Sequence, residues 1–242
     1  MTPEPLSWHI GGDDSRTAVV LRGTLAMGSA ARLRTVLLKC LAEQPAALLV
    51  DLSGITVPEP RALAVFTAVV RQAATWPGIP VVLCAPPPEV ATLLAAGGFG
   101  RLPVHATVER AVAALGDSRA TLPVLSDQLL PVTGAARHAR DMVTDACARW
   151  ELPELVGPAG TVVSELVSNV IDHVGTMMTL RISLRGRYLH VALHDGSPAA
   201  PEPGVPARPG TSGLAVVQAM VTNWGWLPTT DGKVVWAILA KP

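Results

Sequence analysis

The stretch VVSELVSNVIDHVG, from Val162 to Gly175, sets a carboxylate, a carboxamide and an imidazole at intervals of four residues: Glu165, Asn169 and His173. In a helix that turns by about 100° per residue, Val163, Leu166, Val167, Val170, Ile171 and Val174 gather on one face, and the three polar residues drift along another. The residue types have chemistry to offer. A carboxylate can take a proton from a hydroxyl, and an amide oxygen is a neutral hard ligand for an ion such as Mg²⁺. The same spacing also describes the solvated edge of an amphipathic helix, so the rest of the chain has to choose between the two.

The chain has 242 residues, enough for one large or two small domains. Lysine plus arginine (19) equals aspartate plus glutamate (19), so no basic field attracts nucleic acid or anionic lipid. The apolar runs are short and interrupted, and MTPEPLSWHI lacks a basic start followed by an apolar core, so neither a membrane span nor a signal peptide is expected. Cys40, Cys84 and Cys147 are far apart with no CxxC pair. That usage fits reduced thiols filling cores in a cytoplasmic protein.

The first half alternates apolar strands with helical patterns. TAVVLRG, ALLVDLSG, PVVLCA and PVHAT read as strands, and SAARLRTVLLKCLAEQ, PRALAVFTAVVRQAATW, EVATLLAAGG and VERAVAALG as helices. Alternation of this kind predicts an α/β layer with parallel strands. Periodicity fades over DSRATLPVLSDQLLP, a linker or the first strand of a second domain. The second half changes order. Two helices (GAARHARDMVTDACARW and the opening stretch) precede a hairpin of TLRISL and YLHVALHD turning around Arg185 and Gly186. A Pro-rich loop, a helix LAVVQAMVTNW and a last strand KVVWAILA follow, an α+β arrangement.

HDGSP, GTSGLAVVQAM and GKVVWAI follow the Glu-Asn-His helix in that order. With them, residues 132–239 resemble the histidine-kinase-like (GHKL, Bergerat) ATP-binding domains, most closely the bacterial anti-sigma factor serine kinases. The resemblance implies an α+β sandwich over residues 132–242 that binds ATP with Mg²⁺. It implies Asn169 as the metal ligand, Glu165 as the catalytic base for attack of a protein hydroxyl on the γ-phosphate, and His173 lining the phosphate end. Asp195 would read the exocyclic amine of adenine, with Gly196 beside it. Gly213 and Leu214 would open a helix that holds phosphate, and Gly210 belongs to the same glycine box. The loop SPAAPEPGVPARPGTS would form a lid, with Arg208 as a possible phosphate contact. The chain departs from the pattern at Ser197, at Thr211 and Ala215 in place of glycines, and at Val234 where a threonine often helps bind adenine.

LLVDLSGITVPEPRALAVF resembles the heart of STAS domains, the anti-sigma factor antagonist family, which places an α/β STAS-like domain at residues 1–117 and a linker at 118–131. In that family a D-S/T-S/T-G turn at a helix N-terminus carries the hydroxyl that a partner kinase phosphorylates. Aligned on VDLSG, the turn here reads Glu59, Pro60, Arg61, Ala62, with no hydroxyl. Pro60 suits a first helical turn, so the helix is expected to persist without the switch, with Ser53 and Thr56 in structural roles.

Together the resemblances imply an anti-sigma-type serine/threonine protein kinase in bacterial partner switching. Its STAS-like domain would serve docking or regulation, and its partner would be a STAS-domain antagonist, a sigma factor or both. Relatives of the kinase commonly dimerise, which implies a homodimer. The alternative is a non-catalytic, nucleotide-binding interaction scaffold. A sensor histidine kinase fits poorly, because His138 is the only helical phosphoacceptor candidate and no carboxylate directly follows it.

Overall fold

A computed structural model describes residues 4–13, 15–116, 123–201 and 214–241. The chain divides into two compact units, Met1–Ala120 and Thr121–Pro242, each with its own five-stranded sheet.

The first unit orders its strands as β1 (Ser7–Gly12), β2 (Arg16–Thr24), β3 (Ala47–Thr56), β4 (Val81–Cys84) and β5 (Val104–His105). β1 runs antiparallel to β2, and every later pairing is parallel. The helices are α1 (Met27–Ala42), α2 (Ala64–Thr75), α3 (Pro88–Ala95) and α4 (Val108–Leu115). β3 sits in the middle, and Ala47, Leu48, Leu49, Val50 and Leu52 are all buried. A central parallel strand is covered on both faces and so reads as an unbroken apolar run. Ala47 and Leu49 join Val82, Cys84 and Ala111 in a cluster packed by Val108 and Val112 of α4. By the two-residue period of a strand, Leu48, Val50 and Leu52 point to the opposite face. α1 and α2 pack against each other, and α2 also touches β4. β1 was not expected from the sequence. It is an edge strand, mostly exposed, so burial imposes no apolar alternation on it.

The expected helix after VDLSG is present but starts differently. Pro60–Leu63 form a 3-10 turn with Ala62 and Leu63 buried, and this runs into α2. Glu59, Pro60 and Arg61 are exposed. The three cysteines are buried and unpaired. Burial pushes the Cys84 thiol up to about 12 and the Cys40 thiol up to about 11, and raises Cys147 as well. They are core groups with no nucleophilic character at neutral pH.

In the second unit the sheet order is β6 (Val124–Leu129), β7 (Met178–Arg185), β8 (Tyr188–Asp195), β10 (Lys233–Ala240) and β9 (Asn223–Pro228), antiparallel throughout. β6 falls within the stretch read as a linker or first strand. α5 (Ala135–Arg149) and α6 (Val156–His173) pack on each other and on the sheet, with α7 (Leu214–Met220) against α6. The core joins Val143 and Cys147 of α5 and Val163, Leu166, Val167 and Val170 of α6 to Leu180, Val191, Leu193, Val235 and Ala237 of the sheet. Burial of each such aliphatic side chain stabilises the unit by about 1.5–3 kcal/mol.

Two sequence expectations shift here. The hairpin turn lies one position later than read, because Arg185 pairs with Tyr188 and leaves Gly186 and Arg187 as its tip. Gly186 has φ +57°, which glycine adopts without strain. The helix read through Trp224 ends instead at Met220, since the Thr222 N–H donates to the Ile238 carbonyl at 2.8 Å and draws the chain into the sheet as β9. Among the described residues no helix is long and apolar enough to cross a membrane.

Candidate functional site

α6 carries the polar stripe into a cleft. Its apolar face, Leu166, Val167 and Val170, is buried in the core, while Glu165 and Asn169 are half-buried and His173, the last helical residue, is exposed. Gly175, with φ +69°, donates its N–H to the Val170 carbonyl at 2.7 Å and ends the helix. The chain can then turn back into β7.

A cleft of about 220 Å³ opens beside this helix end. Asn169, His173 and Val174 line it from α6, with Ser197, Ala199, Ala200 and Pro201 from the segment after β8, and Lys233 from the first position of β10. Two of the residues singled out in the sequence, Asn169 and His173, thus share one cavity. Glu165 lies one helical turn before Asn169 and is not part of the lining. Gly210 and Gly213, with Arg208 and Thr211, lie outside the described residues. Leu214 begins α7.

Asp195 is where the sequence puts it, at the end of β8, but its surroundings differ from expectation. Its side chain is 1% exposed and takes no part in the cleft lining. Lys233, directly opposite it in the β8–β10 register and 3% exposed, donates from Nζ to Asp195 Oδ1 at 2.9 Å. The Ser197 N–H donates to the same oxygen at 2.8 Å, and Lys233 Nζ also reaches the Ser197 carbonyl at 3.2 Å. The site therefore holds a buried ion pair through Asp195 Oδ1 at the position assigned to the adenine contact. Gly232 lets β10 begin so close to it, for a Cβ at that position would overlap the Asp195 carbonyl oxygen. Gly196 is held by its N–H to Thr176 Oγ1 at 3.0 Å, and a Cβ there would press on the Thr176 methyl at 3.2 Å.

Lys233 is the site residue the sequence reading passed over. Its signal was the run KVVWAILA. The β10 register puts Lys233 on the same strand face as Val235, Ala237 and Leu239, which belong to the core. A charge in that phase must find a buried partner.

The donor types at the cleft fit the phosphate end of a nucleotide. Asn169 offers an amide oxygen, a neutral hard donor of the kind Mg²⁺ accepts. Among the described residues no cluster of three or more His, Cys, Asp or Glu is placed to hold a metal ion. At the position assigned to the base, one carboxylate oxygen of Asp195, Oδ1, is engaged by Lys233 and the Ser197 N–H.

Residues 8–105 match a family model described as "Mlab, STAS domain". No curated protein matches the chain significantly. Among solved structures, the chain is similar to the anti-sigma factor antagonist SpoIIAA in its unphosphorylated form, with 14% identity, TM-score 0.39, and coverage of 45% of this chain and 96% of that one. It is likewise similar to an anti-sigma factor antagonist from Mycobacterium paratuberculosis, with 23% identity, TM-score 0.39, and coverage of 47% and 96%. A third is a structure of the RsbU and RsbW domains of a Mycobacterium tuberculosis protein, with 18% identity and TM-score 0.35, where the match covers 49% of this chain and 32% of that one. With a parallel α/β core centred on VDLSG and a family match over the same residues, positions 8–105 of this chain form a STAS domain.

Proposed function

We propose that the chain is a partner-switching regulator whose second unit binds a nucleoside triphosphate with Mg²⁺ and phosphorylates a hydroxyl of a separate STAS partner, while its own STAS domain docks or regulates without being switched. The observation that carries this reading is the single cleft shared by Asn169 and His173 at the end of a helix that also presents Glu165. Bound Mg²⁺ would neutralise charge on the transferring phosphoryl group. Asn169 would hold that ion through its amide oxygen, and His173 would border the phosphates. Glu165 would take the proton of the attacking hydroxyl as the new P–O bond forms and the bond to the departing nucleoside diphosphate breaks. Asn169→Ala should therefore weaken nucleotide binding when Mg²⁺ is present and leave metal-free binding nearly unchanged. Calorimetric titration with and without Mg²⁺ checks this, and equal affinities of native and variant protein would reject the site.

The STAS turn supports the regulatory half of the reading. Phosphate is welcome at a helix N-terminus, but Glu59, Pro60, Arg61 and Ala62 offer no hydroxyl to carry it. Thr56 Oγ1 shares a hydrogen bond with Thr24 Oγ1 at 3.2 Å. Incubated with an anti-sigma-type kinase and ATP, the native chain should gain no phosphate at Ser53 or Thr56, whereas the Pro60→Ser, Arg61→Ser variant should gain it at the rebuilt turn. Mass spectrometry that finds native Ser53 or Thr56 modified would show a working switch.

A second reading, a non-catalytic interaction scaffold, draws on the commitment of Asp195 to Lys233. Phosphoryl transfer to a STAS partner separates the two, since a nucleotide-binding scaffold gives heat in the titration but transfers nothing.

A further inference from the structure

The part of the cleft wall that follows β8 is fixed by polar ties and by little apolar packing. Gly196, Pro198, Ala199 and Ala200 are exposed, and the chain is not buried again until Pro201. A segment with few buried apolar contacts opens at low cost. Its polar groups, however, are engaged one after another. The Gly196 N–H donates to Thr176 Oγ1 at 3.0 Å, the Ser197 N–H to Asp195 Oδ1 at 2.8 Å, and the Ala199 N–H to Ser197 Oγ at 3.3 Å. From β10, Lys233 Nζ donates to the Ser197 carbonyl at 3.2 Å and to Asp195 Oδ1 at 2.9 Å. One buried ion pair thus grips Ser197 at both of its backbone groups, the N–H by the carboxylate and the carbonyl by the ammonium.

For stability alone, apolar side chains of similar size commonly serve as well as a buried ion pair. What an apolar pair cannot do is satisfy the N–H and carbonyl of Ser197. Hydrogen bonds with an ionised partner are about twice as strong as neutral ones. The pair is itself fixed, since the β8–β10 ladder sets Lys233 opposite Asp195 and Gly232 allows the close approach. We propose that Asp195 and Lys233 are positioning residues for the cleft, a clamp that acts through Ser197. It fixes the wall at residues 197–201 relative to Asn169 and His173 of α6, which line the same cavity. That the clamp serves ligand binding rests on the nucleotide reading of this cleft; the clamp itself is a matter of the wall's order and can be measured without a ligand.

The test compares the full native chain with the double variant Asp195→Leu, Lys233→Met, which removes both charges together and so keeps stability close to native. Amide hydrogen exchange followed by NMR should show Ser197 exchanging faster in the variant by about 10- to 100-fold, the worth of one hydrogen bond to a charged group. The sheet amides of Leu193 and Val235 should stay as protected as before, whereas a merely weakened fold would speed them too. MgATP, titrated by calorimetry, should bind the variant more weakly, because apparent affinity falls with the fraction of chains whose wall is in place. Asp195→Asn, which keeps a neutral oxygen acceptor, should fall between the two chains in both readouts and serves alone if the double variant does not fold. Native exchange at Ser197 in either folded variant would overturn the clamp. Faster exchange with native MgATP affinity would overturn its part in the site and leave the nucleotide reading standing. A native chain that binds no MgATP would overturn the nucleotide reading, and the positioning role with it, whatever the exchange shows.

Discussion

Glu165→Gln should bind nucleotide as the native chain does and lose phosphoryl transfer to a hydroxyl-bearing STAS partner by about 100- to 10,000-fold, the range of a positioned general base. The substitution keeps the size and the half-buried position of the side chain on α6 and removes its basicity. Binding is spared because Glu165 does not line the cleft, whereas Asn169 and His173 do. The measurement is single-turnover transfer with MgATP as donor. A variant that transfers at the native rate would make Glu165 a helix residue with no chemical part. A native chain that binds nucleotide and transfers to no partner would favour the scaffold.

The second large effect is on stability. Asp195 and Lys233 are 1% and 3% exposed and 2.9 Å apart. Removing one partner strands the other's charge away from water, which costs about 3–5 kcal/mol, whereas replacing both with apolar side chains of similar size is commonly neutral or stabilising. Lys233→Met should thus lower the stability of the second unit by about that amount, a large share of the roughly 5–15 kcal/mol that holds a domain together. The pair Asp195→Leu, Lys233→Met should recover most or all of it. Denaturant titration read by tryptophan fluorescence is well suited, since Trp150, Trp224, Trp226 and Trp236 all lie in the second unit. A single variant as stable as the native chain would show that water reaches the pair and screens it.

These two sites mark how far the sequence could be read. Glu165, Asn169 and His173 were legible because a helix encodes its faces locally, at a period of 3.6 residues. β3 was legible because a doubly covered parallel strand needs an uninterrupted apolar run. β1 and β9 were not, since an edge strand is specified by the neighbour it pairs with and carries weak patterning of its own. The end of α7 was missed for the same reason, as the backbone of Ile238 draws Thr222 out of the helical path. The partnership of Asp195 and Lys233 depends on which residues face each other across two strands 38 positions apart. Residue types at Asp195 and Lys233 suggest a charge and a countercharge. Only the register shows that they meet.

The sealed thiols have a practical corollary. Maleimide and iodoacetamide reagents attack exposed thiolate, and Cys40, Cys84 and Cys147 are buried, with ionisation raised well above neutral pH. A single cysteine introduced at the exposed Ala199, on the wall of the cleft, could carry a fluorophore without background from the native side chains and without first stripping them from the cores they fill. Ligand entry could then be followed by the dye's emission in real time, in a chain whose packing is left untouched.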